Sequence, residues 1–237
     1  MPLIRLRELL NEHFMAFPNV AIIGGLVRDF ARKGRTGFRS DIDLVIDAPA
    51  DNVRDLAANL RASPNRFGGF SFCHPQWKVD FWALETTWAS TNGHVKVRNF
   101  EDLTRCTFFD FDAALYDLKT RTILCEAGYL EKLRSRQLDI NLAATPSLRG
   151  NLLRSVRRLL LWNVAAGPKL ENFIVRNLNP ENFNAIRITE QAVYPNPILP
   201  RFQSEFELMP YLFDISERSQ LDISFATQLT LPGIMVD

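Results

Sequence analysis

IIGGLVRDFARKGRTGFRSDIDLVID, residues 22–47, contains a glycine pair and, further along, a strand-like run that carries two aspartates. Because successive side chains of a strand point to opposite faces, Asp41 and Asp43 share one face and the apolar residues between and after them share the other. Two neighbouring carboxylates repel each other, and oxygen ligands suit Mg²⁺. The pair is therefore most simply explained by a divalent cation between or beside the two aspartates.

The glycine pair, Gly24 and Gly25, lies between an apolar run at 20–23 and a helical pattern at 26–33. Glycines have no side chain, so the backbone N–H groups at a helix start can approach an anion closely, helped by the positive end of the helix dipole. The sequence thus predicts a phosphate site next to the proposed cation site. A basic loop at 35–40 leads from the helix into the aspartate strand.

Composition gives the class of protein and excludes others. The chain has 237 residues, of which 46% are hydrophobic, and this suffices for a real core. A formal charge of +1 does not by itself indicate a nucleic-acid-binding protein. Three cysteines without close spacing are typical of free thiols in a reducing compartment. With neither a secretory signal nor a long apolar run in the sequence, we expect a soluble cytoplasmic protein without a membrane partner.

Hydrophobic periodicity predicts an α+β chain in which a helix with a basic side at 151–166, the neck, precedes a small irregular C-terminal appendage. The predicted helices are 3–16, 26–33, 50–61, 128–140 and 151–166, and the predicted strands are 20–23, 41–47, 67–73, 77–84 and 120–124. After residue 167 asparagine and proline become frequent and the periodicity weakens, which leaves one further helix at 202–217. We predict one domain at 1–148 and a neck with its appendage at 149–237.

Three more aspartates are candidates for the same polar region. Asp80 shares a strand face with Lys78 and Trp82, and a carboxylate within an apolar strand is costly to bury unless something pairs with it. Asp80 is therefore a candidate third ligand, and the alternative is an ordinary salt-bridged or edge-strand aspartate. Asp110 and Asp112 either complete polar networks near the site or are exposed over a turn.

With these residues identified, the sequence resembles the DNA polymerase beta-like nucleotidyltransferases. It is most similar to the head domain of bacterial poly(A) polymerases and class II CCA-adding tRNA nucleotidyltransferases. GGLVRD at 24–29 matches their GGxVRD, and SDIDLVI at 40–46 matches their DIDL strand. Two segments agree more loosely: DLTRCTFFDFDAALYD at 102–117 with RRDFTINAMAYD, and NLLRSVR at 151–157 with RLLRAVR. The resemblance covers residues 18–162, and it implies a mixed β-sheet head flanked by helices and followed by a short helical neck.

The sequence departs from the family pattern at several positions. Arg105-Cys106-Thr107 stands where the family has Arg-Arg-Asp, Asp112 replaces the usual asparagine, and Asn151 replaces the first arginine of the helical motif. We find no clear EDxxR element, which the family uses in choosing C and A bases. The chain ends where the long helical domains that hold tRNA would follow, so the family's usual acceptor is not an expectation from this sequence.

The resemblance implies transfer of a nucleoside monophosphate from a nucleoside triphosphate, with ATP or CTP favoured, to a hydroxyl acceptor. It implies two Mg²⁺ ions, or Mn²⁺ in their place, held by Asp41, Asp43 and Asp80, although Asp80 could instead act as a base toward the hydroxyl. An RNA 3′ end is the expected acceptor. The alternatives are a protein acceptor and a non-catalytic nucleotide-binding module.

Four arginines are candidate nucleotide ligands. Arg28 either reaches the phosphates or forms a structural ion pair with Asp29 or a strand carboxylate. Arg105, Arg154 and Arg157 match family positions near the nucleotide, where a guanidinium group can donate two hydrogen bonds to phosphate oxygens or a base edge. The alternative for each is a place on a solvated helix face.

Overall fold

The computed structural model describes residues 2–34 and 41–218, so the predicted basic loop at 35–40 and the end of the appendage lie outside the described residues. The described residues fall into two compact units, one drawn from the ranges 1–107 and 112–127 and the other from the ranges 108–111 and 128–237. The division into domains at 148/149 stays a prediction. None of the helices in the described ranges is both long and apolar enough to cross a membrane.

The first unit is built on a seven-stranded sheet with the order β3-β4-β5-β2-β1-β6-β7. Its strands are β1 (Val20–Ile23), β2 (Ile42–Ile46), β3 (Ser63–Pro64), β4 (Phe70–His74), β5 (Trp77–Ala83), β6 (Ala114–Asp117) and β7 (Thr122–Cys125). Its helices are α1 (Pro2–His13), α2 (Gly25–Lys33), α3 (Ala50–Asn59), α4 (Trp88–Thr91) and α5 (Phe100–Leu103). The predicted α+β class and the mixed sheet are confirmed.

The strand register decides which side chains meet. Strand β1 runs antiparallel to β2 and pairs Ile23 with Asp43. Strand β2 runs parallel to β5 and pairs Asp43 with Asp80. A parallel pair needs a long crossover connection, and α3, β3 and β4 supply it. Since directly paired residues point to the same face, this register brings Asp43 and Asp80 side by side.

Apolar side chains cover both faces of this sheet. On one face, Phe14 follows α1 and its ring lies 5.5 Å from that of Phe81, centroid to centroid. On the other face, Ala21, Val45 and Leu115 belong to one buried cluster. The central strands are therefore buried on both sides, which explains why β2 is apolar apart from its aspartate.

The second unit is largely helical. Its helices are α6 (Tyr129–Ser135), α7 (Leu148–Trp162), α8 (Pro168–Asn177), α9 (Pro180–Val193), α10 (Glu205–Phe213) and α11 (Ile215–Arg218), and its strands are β8 (Gln137–Leu138) and β9 (Ala165–Ala166). Its core is one cluster of buried side chains that includes Leu152 and Leu159 of α7, Leu170 of α8, Ile186 of α9 and Leu208 of α10.

Two predictions about this region are wrong. The appendage is not irregular between 168 and 218, because the asparagines and prolines there start helices. Asn179 accepts a hydrogen bond from the N–H of Asn182, and Pro180 occupies the first turn of α9, where a proline costs no hydrogen bond. The helix predicted at 128–140 ends at Ser135, because Arg136 is left-handed and β8 follows.

Candidate metal and phosphate site

Three aspartates lie close together at the start of β2 and on β5: Asp41, Asp43 and Asp80. Asp43 and Asp80 are register partners, and Asp41 directly precedes β2. The pKa of Asp43 is raised to about 8, mainly by burial and further by the negative charges of Asp80 and Asp41. Burial also raises the pKa of Asp41, although the charge of Lys78 opposes this. A cluster of carboxylates that repel one another in this way is stabilised by a cation.

Asp80 already has two partners. Ser71 Oγ donates to Asp80 Oδ1, and Lys78 Nζ lies 2.9 Å from Asp80 Oδ2. Among residues 2–34 and 41–218, no group of three or more His, Cys, Asp or Glu side chains is arranged to hold a metal ion. Three aspartates offer the oxygen donors that Mg²⁺ prefers. The chemistry of the donor set therefore fits a divalent cation held by Asp41 and Asp43, and Asp80 becomes a third ligand only when it exchanges Lys78 for the cation.

The turn at Gly24 passes directly beside this cluster. Gly24 has φ 75° and ψ −127°, a conformation that other residues rarely adopt. A Cβ added there would lie 3.8 Å from Asp43 Oδ2, so the absence of a side chain leaves room next to the carboxylate. The Gly24 N–H already donates to the Ala114 carbonyl at 3.3 Å. No side chain caps α2, so the N–H groups from Gly25 onward are the candidate donors for phosphate oxygens.

Arg28 is buried between two carboxylates. Its Nε donates to Asp29 Oδ1 at 2.8 Å, and its Nη1 donates to Asp112. Of the two roles that the sequence leaves open for Arg28, these contacts favour the structural ion pair. Asp112 contributes to the raised pKa of Asp43, so it belongs to the polar network near the site. Asp110 is buried in the second unit, where it accepts a hydrogen bond from the Asp139 N–H at 3.0 Å.

Arg105 lies in the first unit, two residues after the end of α5, is half-exposed and pairs with Asp102. Arg98 also binds Asp102 and holds the pKa of that carboxyl below its usual value, mainly through a side-chain hydrogen bond. The contacts of Arg105 are thus with Asp102 rather than with the three clustered aspartates.

Arg154 and Arg157 lie on α7 in the second unit and have different environments. Arg154 is exposed and donates to Asn151. Arg157 is buried, pairs with Glu190 and stacks over the ring of Tyr194 at 3.8 Å. A buried, paired guanidinium is occupied with holding the helices of this unit together. Of these two arginines, the exposed Arg154 remains the better candidate for a nucleotide or RNA phosphate.

Sequence reasoning did not assign roles to Ser71 and Lys78 at the site. The signal that could have found them is the hairpin loop: β4 and β5 are joined by only two residues, Pro75 and Gln76. A loop of this length fixes the register. Pairing His74 with Trp77 forces Ser71 opposite Asp80, so the serine contact follows from counting residues back from the turn.

A groove of about 640 Å³ in the first unit lies apart from the aspartates. Its lining comes from α1, α2 and the β6–β7 hairpin and includes Leu6, Leu26, Phe30, Tyr116 and Ile123. Tyr116 pairs with Ile22, whereas Asp43 pairs with Ile23. Neighbouring residues of a strand point to opposite faces, so the groove and the aspartates are on opposite sides of the sheet.

Comparison with known proteins gives matches at the level of structure. No family model and no curated protein matches the sequence. A solved tRNA-processing enzyme with CTP is 18% identical, with 89% of this chain and 56% of that one covered and a TM-score of 0.51. A tRNA nucleotidyltransferase complexed with a primer tRNA and an incoming ATP analog is also 18% identical, and the match covers 85% of this chain and 58% of that one with a TM-score of 0.51. A CCA-adding enzyme with CTP is 16% identical, and the match covers 89% of this chain and 51% of that one with a TM-score of 0.53.

This chain spans between about half and three fifths of the length of those enzymes. At 16–18% identity the likeness concerns the fold. It agrees with the order of motifs in the sequence, in which a glycine turn, an Asp-x-Asp strand and a third strand aspartate follow one another. The chain therefore shares the fold of these solved tRNA nucleotidyltransferases over the matched part.

Proposed function

We propose that this protein is a metal-dependent nucleotidyltransferase that moves a nucleoside monophosphate from a nucleoside triphosphate to the hydroxyl of an RNA 3′ end. The observation that carries the proposal is the pairing of Asp43 with Asp80 on adjacent parallel strands, beside the Gly24 turn. A cluster of carboxylates next to an uncapped helix start is the arrangement that a metal-bound triphosphate requires.

The residues of the chain have distinct roles in this reaction. Asp41 and Asp43 provide oxygen ligands, and Asp80 acts either as a third ligand or as the base that accepts the proton of the hydroxyl. The N–H groups from Gly25 onward donate to phosphate oxygens, and Gly24 leaves space for them. The bound divalent cations would lower the pKa of the attacking hydroxyl and neutralise the charge on the leaving pyrophosphate.

The comparisons support the choice of substrates to test first. Two of the similar enzymes were solved with CTP, and a third with a primer tRNA and an ATP analog. ATP and CTP are accordingly the favoured triphosphates, and tRNA is the first acceptor to examine. The exposed Arg154 on α7 is the candidate to contact RNA or triphosphate.

Incubation with each of the four labelled triphosphates in Mg²⁺, with tRNA and separately with total RNA, tests the proposal. We expect ATP or CTP to be incorporated, and we expect the variant Asp41→Ala/Asp43→Ala to reduce incorporation to background. The matched control is Asp51→Ala/Asp55→Ala, which removes two exposed carboxylates from α3 and should leave incorporation unchanged.

Two results would contradict the proposal: no incorporation by the wild-type protein with any triphosphate, or incorporation that survives the Asp41→Ala/Asp43→Ala substitution. Replacing RNA by total cellular protein distinguishes the two acceptors, because the label appears on a polypeptide only if the acceptor is a protein.

A further inference from the structure

Lys78 places a positive charge among the three clustered aspartates. It lies on β5, two residues before Asp80 and on the same face, and its Nζ is 2.9 Å from Asp80 Oδ2. At neutral pH a lysine that is paired with a carboxylate is protonated, so Lys78 places an ammonium group in the cluster.

Both oxygens of Asp80 are engaged. Oδ1 accepts from Ser71 Oγ, and Oδ2 faces Lys78. The two partners differ in how easily they can leave. Ser71 is fixed opposite Asp80 by the pairing of β4 with β5, whereas Lys78 has a long flexible stem and its side chain is 26% exposed. A carboxylate oxygen can accept more than one contact, but a cation that approaches Asp80 Oδ2 meets the Lys78 ammonium at short range, so the two compete for this oxygen.

The charges of the cluster also indicate that Lys78 limits how many cations can bind there. When all three aspartates are ionised, as ligation of a cation requires, three carboxylates and one ammonium carry a net charge of about −2, which a single divalent cation balances. A second divalent cation would meet the repulsion of Lys78 at short range in a partly buried site, where Coulomb interactions are poorly screened. Lys78 thus opposes the entry of a second cation for as long as it remains on Asp80.

We propose that Lys78 is an internal competitor of the divalent cations. It keeps Asp80 in an ion pair, so the free protein binds one cation through Asp41 and Asp43, and a second cation binds only after Lys78 has left Asp80. This inference rests on the cation site of the proposed function, and it assigns to Lys78 the control of how many ions that site accepts.

Titration with Mn²⁺, followed by the electron paramagnetic resonance signal of the free ion, tests this directly. In the concentration range that fills the first site, we expect the wild-type chain to bind one Mn²⁺, and we expect Lys78→Met to bind a second or to bind the first about tenfold more tightly, since a nearby like charge has been removed. The control Lys96→Met removes an exposed lysine from the same unit and should titrate like the wild type. Identical titrations of Lys78→Met and the wild type would overturn the inference.

A second measurement uses the unmodified protein, so it holds even if Lys78→Met does not fold. Reductive methylation of individual lysines is followed by mass spectrometry with and without Mn²⁺. We expect the methylation rate of Lys78 to stay the same while the first Mn²⁺ binds and to rise only at the higher Mn²⁺ concentrations at which a second ion takes the place of the amine on Asp80, while the rate at Lys96 stays the same throughout. Equal rates at Lys78 over the whole range of Mn²⁺ concentrations, or a rate that already rises as the first ion binds, would overturn the inference.

Neither measurement requires transfer activity, so the two proposals fail separately. Incorporation of nucleotide, together with identical Mn²⁺ titrations of the wild type and Lys78→Met, would reject the role of Lys78 but would not contradict the transferase proposal. The opposite pair of results, no incorporation with any substrate and tighter Mn²⁺ binding by Lys78→Met, would reject the transferase and keep Lys78 as the competitor.

Discussion

Arg157 pairs with a carboxylate that solvent does not reach. Glu190 is fully buried, and besides Arg157 its partners are the N–H groups of Ile198 at 3.0 Å and Leu199 at 2.7 Å. The ion pair therefore joins α7 to the end of α9 and to the segment that follows it. Breaking such a pair from one side leaves an uncompensated charge in the protein interior, which costs more than the pair itself contributes.

Replacing Arg157 by methionine should consequently destabilise the second unit. We expect Arg157→Met to lower the free energy of unfolding by about 3–5 kcal/mol, while Arg154→Met, at an exposed position of the same helix, should change it by less than about 0.5 kcal/mol. Urea denaturation followed by circular dichroism measures both. If both substitutions lowered the free energy of unfolding by similar amounts, the ion pair with Glu190 would not be the cause of the destabilisation.

The ionisation of Asp110 should make the stability of the folded protein depend on pH. Burial is the main cause that raises its pKa to about 6, although the N–H groups of Asp139 and Phe111 oppose the shift. Because the folded state holds the proton more tightly than the unfolded state, the free energy of unfolding falls as the pH rises from about 4 to about 6, and the penalty persists above that range.

Asp110→Asn should remove this dependence of the free energy of unfolding on pH. The amide keeps an oxygen for the Asp139 N–H, but it does not ionise. The difference between wild type and variant should grow between pH 4 and 6 to at most about 3 kcal/mol in favour of the variant. Urea denaturation at a series of pH values measures it. A constant difference across this range would contradict the assignment.

At the scale of single elements, the strands of the first unit were predictable because alternation and turns specify them locally. The predicted strand at 20–23 is β1, and the run at 77–84 is β5 with only its last residue outside. The helices of the second unit were harder to predict. Pro168 and Pro180 suggest breaks in a sequence, yet both occupy first turns of helices, and the packing around Leu170 and Ile186 that stabilises those helices is not local.

The candidate site was predictable where its residues alternate along one strand and less so where they meet across strands. Asp41 and Asp43 follow from the alternation of β2 alone. Asp80 needed the further argument that a carboxylate in an apolar strand requires a partner. Its contacts with Ser71 and Lys78 depend on strand pairing, and the burial of Arg157 depends on α9.

At the scale of the whole molecule, the folded state brings three carboxylates together and the unfolded state separates them. A divalent cation that binds them therefore binds the folded protein in preference and stabilises it by mass action, by about 2.7 kcal/mol at one hundred times its dissociation constant. Three of the four tryptophans, Trp77, Trp82 and Trp88, lie in the first unit, so tryptophan fluorescence mainly reports the unfolding of the unit that carries the site.

We expect Mg²⁺ or Mn²⁺ to raise the urea midpoint of this fluorescence transition relative to EDTA. Asp41→Asn/Asp43→Asn should abolish the increase. In EDTA this variant should be more stable than the wild type by roughly 1–2 kcal/mol, because relieving a strained functional site commonly stabilises a fold. Asp51→Asn/Asp55→Asn should respond to the cation as the wild type does. A midpoint that rises equally in both double variants would place cation binding elsewhere in the molecule, because only the first variant alters the clustered carboxylates.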